Sequence, residues 1–401
     1  MDQKIQLIGD YLDRNYNITQ LSEIYEVSRN TVYKWIKRYK QGGIRGPTVK
    51  TAVPFRHPNA TSLGIAREIV TLKLKHPSWG PKKVVYWLKQ HQPDRRWPAI
   101  STAGHILKQA GLVRPRKKRS RTPPYTEPFQ ECLGPNLVWS ADYKGQFKTG
   151  DGQLCYPLTV TDNYSRYLLG CQALRHPNYN GSKPVFEAIF KKYGLPAVIR
   201  TDNGTPFAST GLGGLSKLSV WFIKLGIRPE RIRAGHPQEN GRHERMHRSL
   251  KAATAKPARG NQREQQKAFN VFIPEFNNER PHEALGMRTP ASCHKPSLRS
   301  YPERLPEITY HGNYLARQVR HNGEIKWKGE KVYVSQALAG EPVALKQKGE
   351  HLWEIYYSTY LLGILDELDM RIKPGGESVN NVPGLKCELR SSLHSEDDVS
   401  G

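Results

Sequence analysis

Ala197-Val198-Ile199-Arg200-Thr201-Asp202-Asn203-Gly204 reads as a short apolar strand that runs into a polar turn, with an aspartate where the strand gives out. Val138-Trp139-Ser140-Ala141-Asp142 has the same shape and the same ending. Between them, Leu154 to Asp162 and Tyr167 to Leu174 read as two further strands, and Val185 to Tyr193 as a helix. Beyond the second aspartate come a helix from Leu215 to Leu225, a strand from Ile227 to Ile232 and a long helix from about Asn240. Three strands, helix, strand, helix, strand, helix is an α/β plan with a mixed sheet, expected over residues 134–300.

Three acids stand out by their setting: Asp142 and Asp202 at strand ends, and Glu244 in the long helix after His236-Pro237-Gln238-Glu239-Asn240-Gly241. A strand end fixes a side chain on a rigid edge, and a helix laid across that edge brings a third acid to it. Three hard oxygen ligands that converge in this way suit Mg²⁺, which keeps waters and takes substrate phosphates into its shell. Each acid alone reads more often as a turn, capping or solvated residue; the three contexts together carry the reading.

Outward from the core, the N-terminal segment (1–46) has the rhythm of a helix-turn-helix. Leu21, Ile24, Tyr25 and Val27 form an apolar stripe, and Ser28 is placed to cap the next helix. That helix turns Val32, Trp35, Ile36 and Tyr39 inward and Arg29, Asn30, Tyr33, Lys34, Lys37 and Arg38 outward, ending at Gly42-Gly43. A basic, polar face on the second helix suits the major groove of DNA, though a merely solvated hairpin has the same pattern. A second helical module (60–113) follows, with Ile65, Ile69, Leu72 and Leu74 on one helix and Val84, Val85, Trp87 and Leu88 on the next. A third, opened by Ser101, holds Ile106 and Leu107. It fits another helix-turn-helix or winged-helix unit, or a packed spacer.

The run Arg114-Pro115-Arg116-Lys117-Lys118-Arg119-Ser120-Arg121 cannot pack, and residues 114–133 are expected to be a basic linker whose Arg116, Lys117, Lys118 and Arg119 track a phosphate backbone. Short alternating strands from Gly323 to Ile364 suggest a small SH3-like β-barrel (305–370), and the polar, Gly/Ser-rich remainder (371–401) a disordered tail.

The chain of 401 residues carries 62 Lys+Arg against 36 Asp+Glu, a formal net charge of +26. An excess of that size calls for a polyanionic partner, because neutralised phosphates release counterions. No run of about 18 apolar residues could span a bilayer, so nucleic acid rather than membrane is expected. The five cysteines, Cys132, Cys155, Cys171, Cys293 and Cys387, are widely spaced and without metal-ligand pairing. They fit reduced thiols in a cytoplasmic protein.

Trp139-Ser140-Ala141-Asp142, Thr201-Asp202-Asn203-Gly204-Thr205-Pro206-Phe207 and Asn240-Gly241-Arg242-His243-Glu244-Arg245 closely resemble the integrase core shared by retroviral integrases and many bacterial insertion-sequence transposases. The order of segments resembles the insertion-sequence group. So do His76-Pro77 with Trp79-Gly80-Pro81-Lys82-Lys83, and Asn278-Glu279-Arg280-Pro281-His282-Glu283-Ala284-Leu285. The resemblance implies an RNase H-like core whose catalytic, metal-holding triad is Asp142, Asp202 and Glu244, and leaves Glu239 as a decoy. It implies two Mg²⁺ ions per site, with Mn²⁺ as a substitute, and Arg248 and Lys251 holding the DNA end.

The partners implied are double-stranded DNA, as element terminal repeats and target, and further copies of the chain assembled on that DNA; the location implied is nucleoid-associated. Family members have fewer residues between the second Asp and the Glu. The extra length is expected in a Gly-rich surface insertion, Gly211-Leu212-Gly213-Gly214-Leu215-Ser216. No GxxxxGK[ST] loop argues for nucleotide hydrolysis. Two rivals stand beside the transposase: a catalytically silent DNA-binding regulator derived from one, and a nuclease that hydrolyses without transferring strands.

Overall fold

The computed structural model describes residues 3–46, 60–113, 132–143, 145–232 and 241–374. The basic run with Arg116, Lys117, Lys118 and Arg119, the segment holding Glu239, the chain beyond 374 and Cys387 lie outside the described residues. The chain divides into two compact units, Met1–Ser62 and Leu63–Gly401.

The first unit holds α1 (Gln3–Leu12), α2 (Ile18–Ile24) and α3 (Arg29–Gly42). Asn17 and Gln20 cap α2 reciprocally, each side chain accepting from the other's backbone N–H. Ser28 caps α3 by accepting from Thr31 N, and Gly43 ends it at φ 60°. Leu7, Leu21 and Val32 are fully buried, with Ile8 and Ile36 beside them. Ile24 departs from the expected stripe: it is the last residue of α2 and 51% exposed, and Tyr25 and Val27 beyond it pack inward instead.

The second unit begins with α4 (Leu63–Lys75), α5 (Pro81–His91) and α6 (Ile100–Gln109), packed around Ile69, Trp79, Val84 and Leu107. Pro81 sits at the start of α5, where a backbone N–H has no partner in any case. Leu74, expected on the apolar face, is 59% exposed near the end of α4. The His76–Lys83 stretch joins these helices to the core. The His76 ring stacks on Trp79 at 3.9 Å, its Nδ1 lies 2.8 Å from Glu275 Oε1, and Arg280 Nη1 donates to Ser78 Oγ at 2.8 Å.

The core sheet comprises β1 (Val138–Asp142), β2 (Phe147–Lys148), β3 (Leu154–Asp162), β4 (Leu168–Leu174), β5 (Val198–Thr201) and β6 (Arg228–Arg231). The order is β2-β3-β1-β5-β6, with β4 paired on β3. β1, β5 and β6 run parallel, while β3 is antiparallel to β1, β2 and β4. Successive residues of a strand face opposite sides, and the sequence uses this to give the sheet two unlike faces. Trp139, Ala141, Leu158, Val160 and Ile199 share a dry core with Phe186, Phe190 and Phe222 from α7 (Tyr179–Tyr193) and α8 (Lys217–Lys224). Ser140, Asp142, Thr159, Thr161 and Arg200 alternate with them. α9 (Gly241–Thr254) and α10 (Gln262–Pro274) pack on Cys155, Leu168, Cys171 and Ala173 through Met246, Leu250, Phe269 and Phe272. α7 begins at Tyr179, six residues ahead of the sequence expectation, and tolerates Pro184 within it.

The Gly-rich segment is a docking element rather than a free surface insertion. Leu215 is 1% exposed and packs with Val220 and Ile223 into the core of the C-terminal β domain. Gly213 and Gly214 turn at φ 63° and 65°, which a side chain rarely adopts. Arg231 Nη2 donates to Gly213 O at 3.0 Å. The C-terminal domain pairs strands in the order β13-β12-β11-β10-β7 (Arg371–Pro374, Tyr360–Asp366, Leu352–Tyr357, Pro342–Gln347, Leu315–Gln318). A ribbon of β8 (Glu324–Trp327) and β9 (Glu330–Tyr333) shares its apolar interior, Trp327 lying 4.8 Å from Trp353. Among the described residues no pairing closes these strands into one barrel. Arg371–Pro374, expected in the tail, adds the edge strand. Cys132, Cys155, Cys171 and Cys293 are free thiols, and no described helix is long and apolar enough to cross a membrane.

Leu215→Ala should cost about 2–5 kcal/mol, the range for a buried leucine truncated to alanine, measured by denaturant unfolding of the full chain. A loss below about 0.5 kcal/mol, typical of a surface change, would contradict the docking role.

Candidate active site

The ends of β1 and β5 position two of the three acids. The strands pair in parallel with Val138 opposite Val198, Trp139 opposite Ile199 and Ser140 opposite Arg200. Asp142, two residues beyond Ser140, ends β1 on the Ser140 side of the sheet, and Asp202 follows Thr201, the last residue of β5. Asp142 is 4% exposed, whereas Asp202 is half-buried, with Oδ1 accepting from Gly204 N at 3.1 Å. On this face Arg200 pairs with Glu230, its Nε donating to Oε2 at 2.6 Å.

The third acid comes with α9. Glu244 lies in its first turn and is half-buried. What holds that turn to the sheet was not foreseen: His243 and His247, one helical turn apart, reach down to alternate residues of β3. Thr159 Oγ1 lies 2.7 Å from Nε2 of both histidines, and Thr161 Oγ1 lies 2.8 Å from His243 Nδ1. The same Thr159 hydroxyl is 3.2 Å from the Asp142 carbonyl oxygen, and His247 Nδ1 is 3.7 Å from the Asp142 carboxylate. A hydroxyl owns one hydrogen, so at least one of the two imidazoles must present its Nε2–H to Thr159. The sequence does carry a sign of this: two threonines at period two in an otherwise apolar strand, and two histidines at i, i+4 in the helix.

Among the described residues, Asp142, His243 and His247 form a group whose ligand-capable atoms all lie within 4.8 Å of one another; Asp202 and Glu244 are not in it. Nitrogen-rich sets of this kind suit softer ions than Mg²⁺. Here, however, three of the imidazole nitrogens are engaged with threonine hydroxyls. The two histidines thus form a hydrogen-bonded support beside the Asp142 carboxylate.

The basic residues expected along α9 divide as well. Lys251 is half-buried, and its Nζ lies directly against Gly145 in the loop after Asp142. Arg248 is exposed. In the separate N-terminal unit Arg29, Asn30, Tyr33, Lys34 and Arg38 are all exposed on α3. Tyr33 is 58% exposed.

The comparisons with known proteins agree with this architecture. Residues 133–237 and 225–290 match two models described as integrase core domain. Residues 3–46 match a helix-turn-helix domain and residues 31–107 a homeodomain-like domain. Residues 315–373 match the C-terminal domain of IS481 family transposases. The chain thus has the domain set of an insertion-sequence transposase built on an integrase-type core.

Over 122 residues it is 30% identical to the Gag-Pol polyprotein of baboon endogenous virus (strain M7), which is 30% of this chain and 7% of that polyprotein. It is also 30% identical over 122 residues to the Pol polyprotein of feline endogenous virus ECE1, 30% of this chain and 11% of that protein. The chain therefore matches only a small part of these relatives' length. Among solved structures, the HTLV-2 integrase catalytic core domain in complex with magnesium (trimeric form) is 17% identical, with a TM-score of 0.33 over 40% of this chain and 98% of that one. A chain of the simian T-cell lymphotropic virus intasome with PP2A regulatory subunit B56 gamma is 17% identical, with a TM-score of 0.37 over 73% and 94%.

Thr159→Val keeps the shape but removes the shared hydroxyl, leaving buried imidazole nitrogens without it. We expect a loss of about 1–3 kcal/mol, the cost of an unsatisfied buried polar group, with faster hydrogen exchange in α9. Wild-type stability and exchange would mean that the hydroxyl holds nothing.

Proposed function

We propose that this chain is a metal-dependent DNA transposase that cuts strands at the ends of a mobile element and joins them to a target. The observation that supports the reading is the parallel β1–β5 pairing, with Asp142 ending one strand and Asp202 following the other, and with Glu244 in the first turn of the helix bonded to β3. A carboxylate set of this kind fits hard divalent cations; Asp142 would serve two Mg²⁺ ions, Asp202 and Glu244 one each, and Mn²⁺ would substitute. Bound there, such ions stabilise charge on the attacking and leaving oxygens of a phosphodiester displacement.

The residues of the chain do the rest. Lys251, against the loop after Asp142, and Arg248 on the outer side of α9 hold the DNA end over the carboxylates. The histidine–threonine support keeps Asp142 and the first turn of α9 from shifting as the strand arrives. Hydrolysis at the element end leaves a 3′-hydroxyl. Its attack on a second phosphodiester forms one P–O bond and breaks another, so strand joining needs no ATP and no covalent protein intermediate. Arg29, Asn30, Tyr33, Lys34 and Arg38 on α3 read the terminal repeats through the major groove. The basic linker, with Arg116, Lys117, Lys118 and Arg119, and the β domain add contacts to phosphates. Two element ends must be held together, so several copies of the chain assemble on the DNA, in the nucleoid of a bacterial cytoplasm.

The test incubates the full chain with labelled element-end DNA and Mg²⁺ or Mn²⁺. Wild type should give nicked ends and joined products. Asp142→Asn, Asp202→Asn and Glu244→Gln should each lose at least about 100-fold, the usual effect of removing one charge-stabilising group, while still binding DNA. Binding without cleavage in either metal would support the silent regulator instead, and cleavage without joining the simple nuclease.

A further inference from the structure

A second site lies where the helical module meets the core, next to Thr161 and the first turn of α9. It is a cavity of about 570 Å³ lined by Lys83 of α5, Arg166 of the β3–β4 turn, Arg242 and Arg245 of α9, and Arg280. Its two acids do little to balance them. The Asp162 carboxylate is used by its own turn, accepting from Ser165 N at 2.9 Å and Asn136 N at 3.1 Å. Glu283 is exposed. Several of the cations are costly where they stand. Burial, and then the nearby Arg242, brings Arg166 down to about 10. Burial, and then Arg280, brings Lys83 down to about 8. Arg166 Nη1 is buried with no hydrogen-bond partner, as is His282 Nε2 in the same lining.

Partly buried like charges facing one cavity favour an anion that completes the site. A guanidinium cluster of this kind matches the fork geometry of phosphate oxygens. The cavity also continues. An adjoining space of about 500 Å³ shares Asn163, Arg166, Arg242 and Ala284 with it and adds Arg288. A groove with cations spaced along it suits a chain of phosphates better than a single anion.

We propose that this groove binds the sugar–phosphate backbone of a DNA strand, with Arg166, Arg280 and Lys83 as phosphate ligands. The proposal rests on the DNA-processing reading above and gives a task to two sequence motifs that reading left unused, His76–Lys83 and Asn278–Leu285. They meet at this cavity, and a strand bound there would clamp the helical module to the core.

The experiment compares the full chain with Arg166→Gln and Lys83→Gln by two measurements that need no cleavage. The first is the thermal shift on adding inorganic phosphate. The second is affinity for duplex and single-stranded DNA across a salt series. Wild type should be stabilised by phosphate. Each variant should lose that shift, yet melt no lower than wild type in its absence, because a buried unpaired cation has been removed. DNA affinity should fall about tenfold, as for one charge-assisted hydrogen bond, and the slope of log Kd against log salt by about one.

A variant that melts lower without phosphate and keeps the wild-type salt slope would make the cation structural and overturn the proposal. Loss of the phosphate shift with unchanged DNA binding would assign the groove to a free anion and overturn it equally. Because neither measurement reads catalysis, inactive triad variants that keep the groove should behave as wild type in both, so failure of the groove and failure of the transposase reading remain separate.

Discussion

The parallel pairing of β1 with β5 is the constraint on which the rest depends. Three backbone registers fix it: Val138 with Val198, Trp139 with Ile199, Ser140 with Arg200. A slip of one residue would turn Trp139 and Ile199, both fully buried, out of the α7–α8 core and drive Ser140 and Arg200 into it. The apolar face thus locks the register, and the register in turn decides which polar side chains stand together on the opposite face. The aspartates stand at adjacent strand ends because the tryptophan and isoleucine behind them must be buried.

The polar face then has to accept a helix without a fully apolar seam. α9 does so in two ways along its length. On one side Met246 and Leu250 bury against Cys155, Leu168 and Phe269 in the ordinary manner. At its N-terminal half the seam is the His243–His247–Thr159–Thr161 network. Such a seam fixes direction as well as contact, since hydroxyl and imidazole must meet in register. An apolar turn there would let the helix roll. A hydrogen-bonded one holds Glu244 at a set angle to the sheet, a useful property for a residue whose proposed task is to share a cation with Asp142 and Asp202.

Much of this was legible in the chain itself. β1, β3 and β5 are apolar runs of strand length, and Asp142 and Asp202 end or follow them. The helix-turn-helix was legible because caps are local: Ser28 and Gly43 act within a few residues of themselves. The rest escaped for identifiable reasons. α10, Gln-Arg-Glu-Gln-Gln-Lys-Ala-Phe-Asn-Val-Phe-Ile-Pro, shows too few apolar residues to declare itself, because its Gln266 serves the edge of β4 by bonding the Ala173 N–H and the Cys171 carbonyl oxygen. The Gly-rich segment around Leu215 looked like surface because glycine says nothing of what it packs against, and Leu362 lies far along the chain. The imidazole seam and the cationic groove join residues that only the folded topology makes neighbours.

Two donor sets compete for a divalent ion: the three carboxylates proposed to take it, and the Asp142–His243–His247 group. Mn²⁺ binding to the full chain, followed by electron paramagnetic resonance in wild type, Asp202→Asn, Glu244→Gln and His243→Gln, tests the choice directly. The account predicts that Asp202→Asn and Glu244→Gln each weaken Mn²⁺ binding, while His243→Gln retains it. Binding lost in His243→Gln and untouched in the two acid variants would place the ion among the histidines and contradict the account.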